Sequence, residues 1–385
     1  MIGGYEPKSA DAFFKRTNRE YRRFGDTWKL QTEIGPLKIS TNGHIATVNL
    51  ETRDTDWQVK TEFNFLVYNE LVLKDFARPL PVRLLRYFTT FFDYVLTGTA
   101  FSFFRTNWRF ALYFLYPAIM IALFILASLG AAKLVLAIDF PGQTIAATLV
   151  ALAVFTALVY RIGRRWFVLH LMDLWSFSRY YLHGKREDVG PRIKLYAKAV
   201  IEAANSNRFD EILLVGHSTG GALILDIAAT ALAGDPEFAD QNAEITILGV
   251  GSTALKIGLH PSAREFRQKV QTLADNAHIN WVEYQSHTDI INFYKTDPAQ
   301  EMNVKNTHSR QFPIARTVRI RQMLDPETYK RVKKNFFRMH YQFIMGNTRP
   351  YYYDFFMICC APLSATLRAQ KRITGAIADE NNETT

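Results

Sequence analysis

Cysteine is almost missing from this chain: there are two, Cys359 and Cys360, next to each other. Adjacent cysteines have the spacing neither of a disulfide framework nor of a metal-ligand set, so neither is expected, and a reducing compartment fits. No basic leader of the secretory kind stands at Met1-Ile2-Gly3-Gly4. Internal repeats and low-complexity tracts are absent as well. Acidic residues are in deficit, 36 Asp and Glu against 46 Lys and Arg, for a formal charge of +10. Such a balance points to nucleic acid, anionic lipid or acidic substrates as partners. The chain is 48% hydrophobic and 14% aromatic, which excludes disorder for most of it. Its 385 residues make one large or two ordinary domains.

Charge is also missing locally, over two long stretches. Phe110 to Ala132 is 23 residues without a charged side chain, and Thr144 to Tyr160 is uncharged too. At 1.5 Å per residue the first is long enough for a hydrocarbon core of about 30 Å, and the second is just long enough. The intervening segment carries only Lys133 and Asp139, while Arg83, Arg86, Arg105 and Arg109 precede the pair and Arg161, Arg164 and Arg165 follow it. The pattern predicts a transmembrane hairpin, helices about 110–132 and 144–160, within a segment 80–170. Both termini and everything outside the hairpin then lie in the cytoplasm. Trp108, Tyr113, Tyr160 and Trp166 are placed as interfacial aromatics, and Pro117 is tolerable in a membrane helix. The alternative is a buried helical hairpin. His170 and Asp173, at helical spacing, are read as parts of a structural helix.

The remainder is organised around Glu211 to Gly221. Ile212 to Val215 is a short apolar run of the length of a buried strand. It leads into Gly216-His217-Ser218-Thr219-Gly220, of the form G-x-S-x-G. A helix is predicted over Ala222–Ala233, with Gly234 at its end. On the strand and helix that flank it, this motif resembles the nucleophile elbow of the α/β-hydrolase superfamily of esterases, lipases and thioesterases. The alternative is a tight turn whose serine caps the helix. A helix around Ile193–Ala204, a strand Ile245–Val250, a helix Ala263–Ala277 and a strand Ile279–Gln285 complete an alternation that predicts a mainly parallel α/β sheet. The fold expected is therefore an α/β-hydrolase-like sheet flanked by helices and interrupted by the membrane hairpin. Residues 1–79 supply its first part, 171–350 the main core, and 351–385 an aromatic segment and a polar tail. The tail, Ala376 to Thr385, is expected to fray.

The resemblance implies Ser218 as nucleophile, followed in chain order by an acid and a histidine. Asp289, four residues beyond the strand ending at Gln285, is the expected acid, with Asp297 and Glu283 in reserve; an N-cap role suits Asp289 equally. His340 is the preferred base and His308 the second. Both follow the acid, whereas His287 precedes it, and His217 is read as packing. His340 lies after Arg316–Met323, read as the last strand, and after a helix from about Pro326. The backbone N–H of Thr219 and, from a loop Gly3-Gly4-Tyr5 similar to the superfamily's, that of Tyr5 would form the oxyanion hole. The sheet then lacks the superfamily's usual first strands, or the chain starts further upstream.

Near the start, Ser9 is a candidate N-cap for a helix over Asp11–Phe24. Alternation at Trp28, Leu30, Thr32 and Ile34, and again at Ala46, Val48 and Leu50, predicts two strands, with Asn42-Gly43 as a turn. Arg316, Arg319, Arg321, Lys330, Arg331, Lys333, Lys334 and Arg338 form a basic region. Beside a membrane hairpin, contact with anionic headgroups is a more economical reading than nucleic acid; a solvated face is the third. The expectation is a membrane-anchored serine hydrolase acting on an ester or thioester, lipidic because the bilayer is what it meets first. No cofactor and no metal are called for. The alternatives are an inactive scaffold on the same fold and an acyltransferase using the same triad.

Overall fold

Two compact units make up the chain in the computed structural model, which describes residues 1–377. One combines Met1–Leu73 with the chain from Leu182 onward; the other is Lys74–Tyr181. The inserted unit thus begins before, and ends after, the 80–170 segment set by charge and hydropathy. The predicted tail lies for the most part outside the described residues.

The first unit is built on two sheets. The N-terminal one is antiparallel, with strands β1 (Gln31–Ile34), β2 (Lys38–Ile39), β3 (Ile45–Arg53) and β4 (Gln58–Leu66), β3 pairing with the other three. Ala46, Val48 and Leu50 of β3 are buried on one face, as the alternation requires. The other sheet is parallel, in the order β5 (Glu211–His217), β6 (Glu244–Val250), β7 (Ile279–Gln285), β8 (Ile314–Thr317). Residues 1 and 2 lie between them. Met1 N donates to Asn64 O (2.6 Å) and Leu66 N to Met1 O (2.8 Å). On the other side Ile2 N donates to Val215 O (2.8 Å) and His217 N to Ile2 O (3.1 Å), a parallel bridge to Gly216. The two sheets are joined by this extended pair of residues.

Helices cover both faces of the parallel sheet. In β5, Val215 and Gly216 point to opposite faces. A Cβ on Gly216 would lie 2.6 Å from Gly220 O and from Ile224 Cγ2, so that face carries helix α9 (Gly220–Gly234). Glycine is required there by the closeness of the helix. Helices α8 (Gly190–Asn205) and α11 (Arg264–Asp275) pack on α9. Val215 belongs to the opposite core, shared with Leu248, Val250, Val282, Tyr284, Phe355 and Phe356. The aromatic stretch after Pro350 is therefore part of this core, through the helices Phe355–Cys360 and Ala365–Lys371. Helix α1 (Ala10–Trp28) is capped by Ser9, whose hydroxyl accepts from Ala12 N, and runs four residues beyond its expected end. Trp28 thus closes a helix and does not begin a strand. The expected last strand, Arg316–Met323, is also shorter. Pairing with β7 stops at Thr317, and Ile320–Met323 is a turn of helix.

In the second unit, α3 (Leu80–Leu96) and α4 (Thr99–Thr106) lead into α5 (Trp108–Leu136), which is followed by α6 (Gln143–Leu158). A turn of π-helix, Val159–Gly163, prolongs α6 to give an apolar span of 21 residues; α5 has 29. Both helices exceed the sequence estimate and both are long and apolar enough to cross a membrane. Only 28% and 11% of their most apolar windows are buried, unlike core helices. The two pack on each other. Trp108, Tyr160 and Trp166 are exposed near the ends, but Tyr113 is buried against Trp175, which also meets Phe110 and Phe114 (centroids 5.8 and 4.9 Å). Asp173, on helix α7 (Val168–Leu182), pairs with Arg83 at 2.5 Å, and His170 stacks edge-on against Phe76. These are structural contacts, as the helical spacing implied.

Candidate active site

The carboxyl ends of β5, β6 and β7 collect the residues singled out in the sequence. Ser218 follows β5 directly and has φ 58°, in the left-handed region. A residue with a Cβ held there costs of order 1–3 kcal/mol, and such strain clusters at functional positions. The turn is held by Gly221 N and Thr253 N, which both donate to Ser218 O at 3.0 Å. Thr219 then opens α9, so its backbone N–H lies at the positive end of a 15-residue helix. The Thr219 hydroxyl accepts from Lys256 Nζ at 3.0 Å. Lys256 is fully buried, and desolvation brings its ammonium down to about 7.

Asp289 and His340 form a hydrogen-bonded pair: His340 Nδ1 lies 2.6 Å from Asp289 Oδ2. Both are buried. Asp289 Oδ1 accepts from Ile291 N (3.0 Å), so the carboxylate orients the imidazole with one oxygen and closes its own turn with the other. The capping role open to Asp289 and the pairing role coexist. Asn292 steadies the turn, donating to Ser286 O and Asp289 O and accepting from Ser286 N. His340 Nε2 is buried without a hydrogen-bond partner, so it is not bonded to Ser218 Oγ in this conformation.

Ser218 and His340 are brought together through shared neighbours. Ser218 N donates to Val250 O (3.4 Å) at the end of β6. The next residue, Gly251 (φ 58°), touches His340: a Cβ there would stand 3.1 Å from His340 Cε1 and 2.7 Å from Phe343. The His217 ring is 4.6 Å from that of His340, and its Nε2 lies 3.3 Å from His340 O. Burial, and then the adjacent His340, push the His217 imidazole well below its usual range, so it is neutral.

The loop Gly3-Gly4-Tyr5 passes over the serine. A Cβ on Gly4 would be 3.1 Å from Ser218 Cβ and 3.4 Å from Ser218 Oγ. The Tyr68 hydroxyl holds this loop by donating to Gly3 O (3.0 Å) and Gly4 O (2.5 Å). Tyr5 is buried.

The other candidates lie elsewhere. His308 Nε2 meets Asp275 O at 2.8 Å, at the last residue of α11 and ahead of β7, at the amino end of the sheet. The His287 ring faces Tyr294. Glu283 lies on the α9 face of β7, where Oε1 accepts from Trp281 Nε1 at 3.0 Å; burial pushes its carboxyl up to about 8. Asp297 caps the helix Pro298–Glu301. Sequence reasoning missed Tyr68, Asn292, Lys256 and, beside Tyr341, Glu6 and Arg16, whose roles depend on contacts between distant segments. Asn292, three residues past Asp289, had the only local signal. Comparisons with protein-family models, curated proteins and solved structures returned no match.

Proposed function

We propose that this chain is a membrane-anchored serine hydrolase of the α/β-hydrolase type, cleaving a carboxylic ester or thioester of lipidic character. One observation carries the reading. A serine in left-handed backbone, between a buried parallel strand and a helix, shares the carboxyl end of the sheet with a buried Asp289–His340 pair at 2.6 Å. A strained serine, a histidine oriented by a carboxylate, and a helix N-terminus beside them are the parts that nucleophilic acyl transfer needs.

In the proposed reaction His340 Nε2 takes the Ser218 hydroxyl proton as Oγ attacks the acyl carbonyl. The oxyanion is met by the backbone N–H groups of Thr219 and Tyr5. Asp289 holds Nδ1–H and stabilises the imidazolium. His340 then returns the proton to the departing alkoxide or thiolate, leaving the acyl group on Ser218. Water, deprotonated by the same nitrogen, releases the acid and restores the serine. Burial and the adjacent His340 hold the His217 imidazole well below its usual range, which makes it a poor proton acceptor beside His340.

The two long apolar helices support the membrane anchor. Exposed Arg105, Arg161, Arg164 and Arg165 flank them on the side away from the short connection, which favours a cytoplasmic location for the catalytic unit and both termini. The exposed Arg319, Arg321, Lys330, Arg331, Lys333, Lys334 and Arg338 suit anionic headgroups. Labelling of the detergent-solubilised chain with a fluorophosphonate tests the proposal. Wild type should be labelled and Ser218→Ala should not; labelling that survives the substitution sinks it. Hydrolysis of p-nitrophenyl esters against acyl-CoAs then separates ester from thioester.

A further inference from the structure

We infer that Glu6 is a positioning residue, fastening the strap Gly3–Glu6 across Ser218 and tying it to the segment that carries His340. The inference rests on the reading of Ser218 as nucleophile and His340 as base.

Glu6 follows Tyr5 in the loop that covers Ser218, and it is buried. Its two carboxylate oxygens serve different parts of the unit. Oε1 faces the guanidinium of Arg16 on α1, with both terminal nitrogens at 3.4 Å. Oε2 accepts from the Tyr341 hydroxyl at 2.6 Å and pairs with the Lys8 ammonium at 3.0 Å. Tyr341 is the residue directly after His340, and its ring lies 5.5 Å from that of His217. Arg16 and Lys8 also lie over the Tyr341 ring, at 5.5 and 4.6 Å from its centroid. The Tyr68 hydroxyl also holds the strap, by the carbonyls of Gly3 and Gly4.

The loop expected to supply one oxyanion donor and the segment expected to supply the base therefore meet on one carboxylate. Burial by itself would push the Glu6 carboxyl up, but Arg16, Lys8 and the Tyr341 hydroxyl outweigh it and hold the group below its ordinary value, so it is ionised at neutral pH. A buried ion with this many donors is a costly way to gain stability and an effective way to fix one geometry. Geometry is what the site needs here. A donor displaced by about 1 Å from the position of the developing oxyanion costs on the order of a hundredfold in rate.

The test uses the full chain in detergent, comparing wild type with Glu6→Gln, Tyr341→Phe and the double variant. Glu6→Gln keeps the shape and an acceptor for Tyr341 but loses the charge. Tyr341→Phe loses only the hydroxyl, so at least one variant should fold. Two quantities are read: hydrogen exchange of the peptide containing Gly3–Glu6, which needs no activity, and kcat and KM for a water-soluble ester. We expect faster exchange in both single variants. We also expect kcat to fall by about tenfold or more with KM little changed, and the double variant to be no worse than the poorer single one. A purely structural role would lower the melting temperature and the active fraction, leaving kcat per labelled serine intact. Unchanged exchange in both variants, or unchanged kcat per labelled serine, overturns the inference. A wild type that does not react with the fluorophosphonate sinks the hydrolase reading instead; the exchange data then still decide whether Glu6 holds the strap.

Discussion

At Ser218 and its neighbours the proposed chemistry makes demands on single residues. The Asp289–His340 contact makes a specific demand on the carboxylate: an acceptor, in place, facing Nδ1–H. Asp289→Asn keeps the volume but offers an amide where a carboxylate should hold the tautomer. The labelling rate should fall by roughly 10⁴ with the melting temperature almost unchanged. His340→Ala should abolish labelling, and His308→Ala, at the other end of the sheet, should leave it alone; an equal loss in His308→Ala would reverse the assignment. Glu283 gives a prediction about stability. Its carboxyl is raised by burial from an ordinary 4.5 to about 8. Between those values the folded chain holds a proton that the unfolded chain has released, so stability falls as pH rises from about 4.5 to about 8 and levels off above. Glu283→Gln should remove that part of the slope and be more stable than wild type at pH 8, with Gln able to accept from Trp281 Nε1. Thermal unfolding at several pH values measures it, and a slope unaltered by the substitution counts against the assignment.

At the scale of elements, the β5–α9 turn works because backbones approach where side chains would normally stand. At the first residue of α9, Gly220, the neighbours are backbone atoms that cannot turn aside. A Cβ there would lie 2.4 Å from Ile2 O, just ahead of the strap, and 2.6 Å from Gly3 O, its first carbonyl. Gly220→Ala must push the strap away from Ser218. We expect a loss of about 1–3 kcal/mol in denaturant unfolding, of the size seen for overpacking, together with slower labelling. An alanine variant with wild-type values for both would show that the strap does not need to sit there. Gly43, by contrast, has nothing near it, and its substitution tests only the turn. The G-x-S-x-G pattern treats Gly216 and Gly220 alike, whereas the structure sets the first against α9 and the second against the backbone of Ile2 and Gly3.

For the whole molecule, the question is what two long apolar helices do to a unit whose antiparallel sheet precedes them and whose parallel sheet follows them. The hairpin interrupts the fold in sequence, and the strap and α1 come before it while Ser218, Asp289 and His340 come after. Charge around the helices predicts that their connection faces away from the cytoplasm. In a background where Cys359 and Cys360 are alanine, a cysteine at Asp139 should react with an impermeant maleimide added to intact cells, and one at exposed Lys185 should react only after lysis. The reverse pattern would invert the orientation, and full extraction of the chain by alkaline carbonate would remove the membrane spans altogether.

Much of this was legible from residues alone because it is written in local pattern. Hydropathy over consecutive residues marks the two membrane-length helices, since the hydrocarbon thickness sets their length. Strand–glycine turn–helix marks Ser218, short apolar runs set between helical patterns mark the parallel strands, and period-two alternation marks β3, because the helical and strand periods are properties of the backbone. The order of Asp289 and His340 came from resemblance to a superfamily, and the 2.6 Å contact between them is a tertiary fact, made between the loop after β7 and the last residue of the helix Phe336–His340, 51 residues apart. Tertiary structure alone decided the rest. It sent His308 to the amino end of the sheet and folded the aromatic stretch after Pro350 into the core. It threaded Met1 and Ile2 between two sheets, and it gathered Glu6, Arg16, Tyr68 and Tyr341 around the strap. None of those has a sequence period, because each depends on which distant segments the packing of two sheets and their helices leaves side by side.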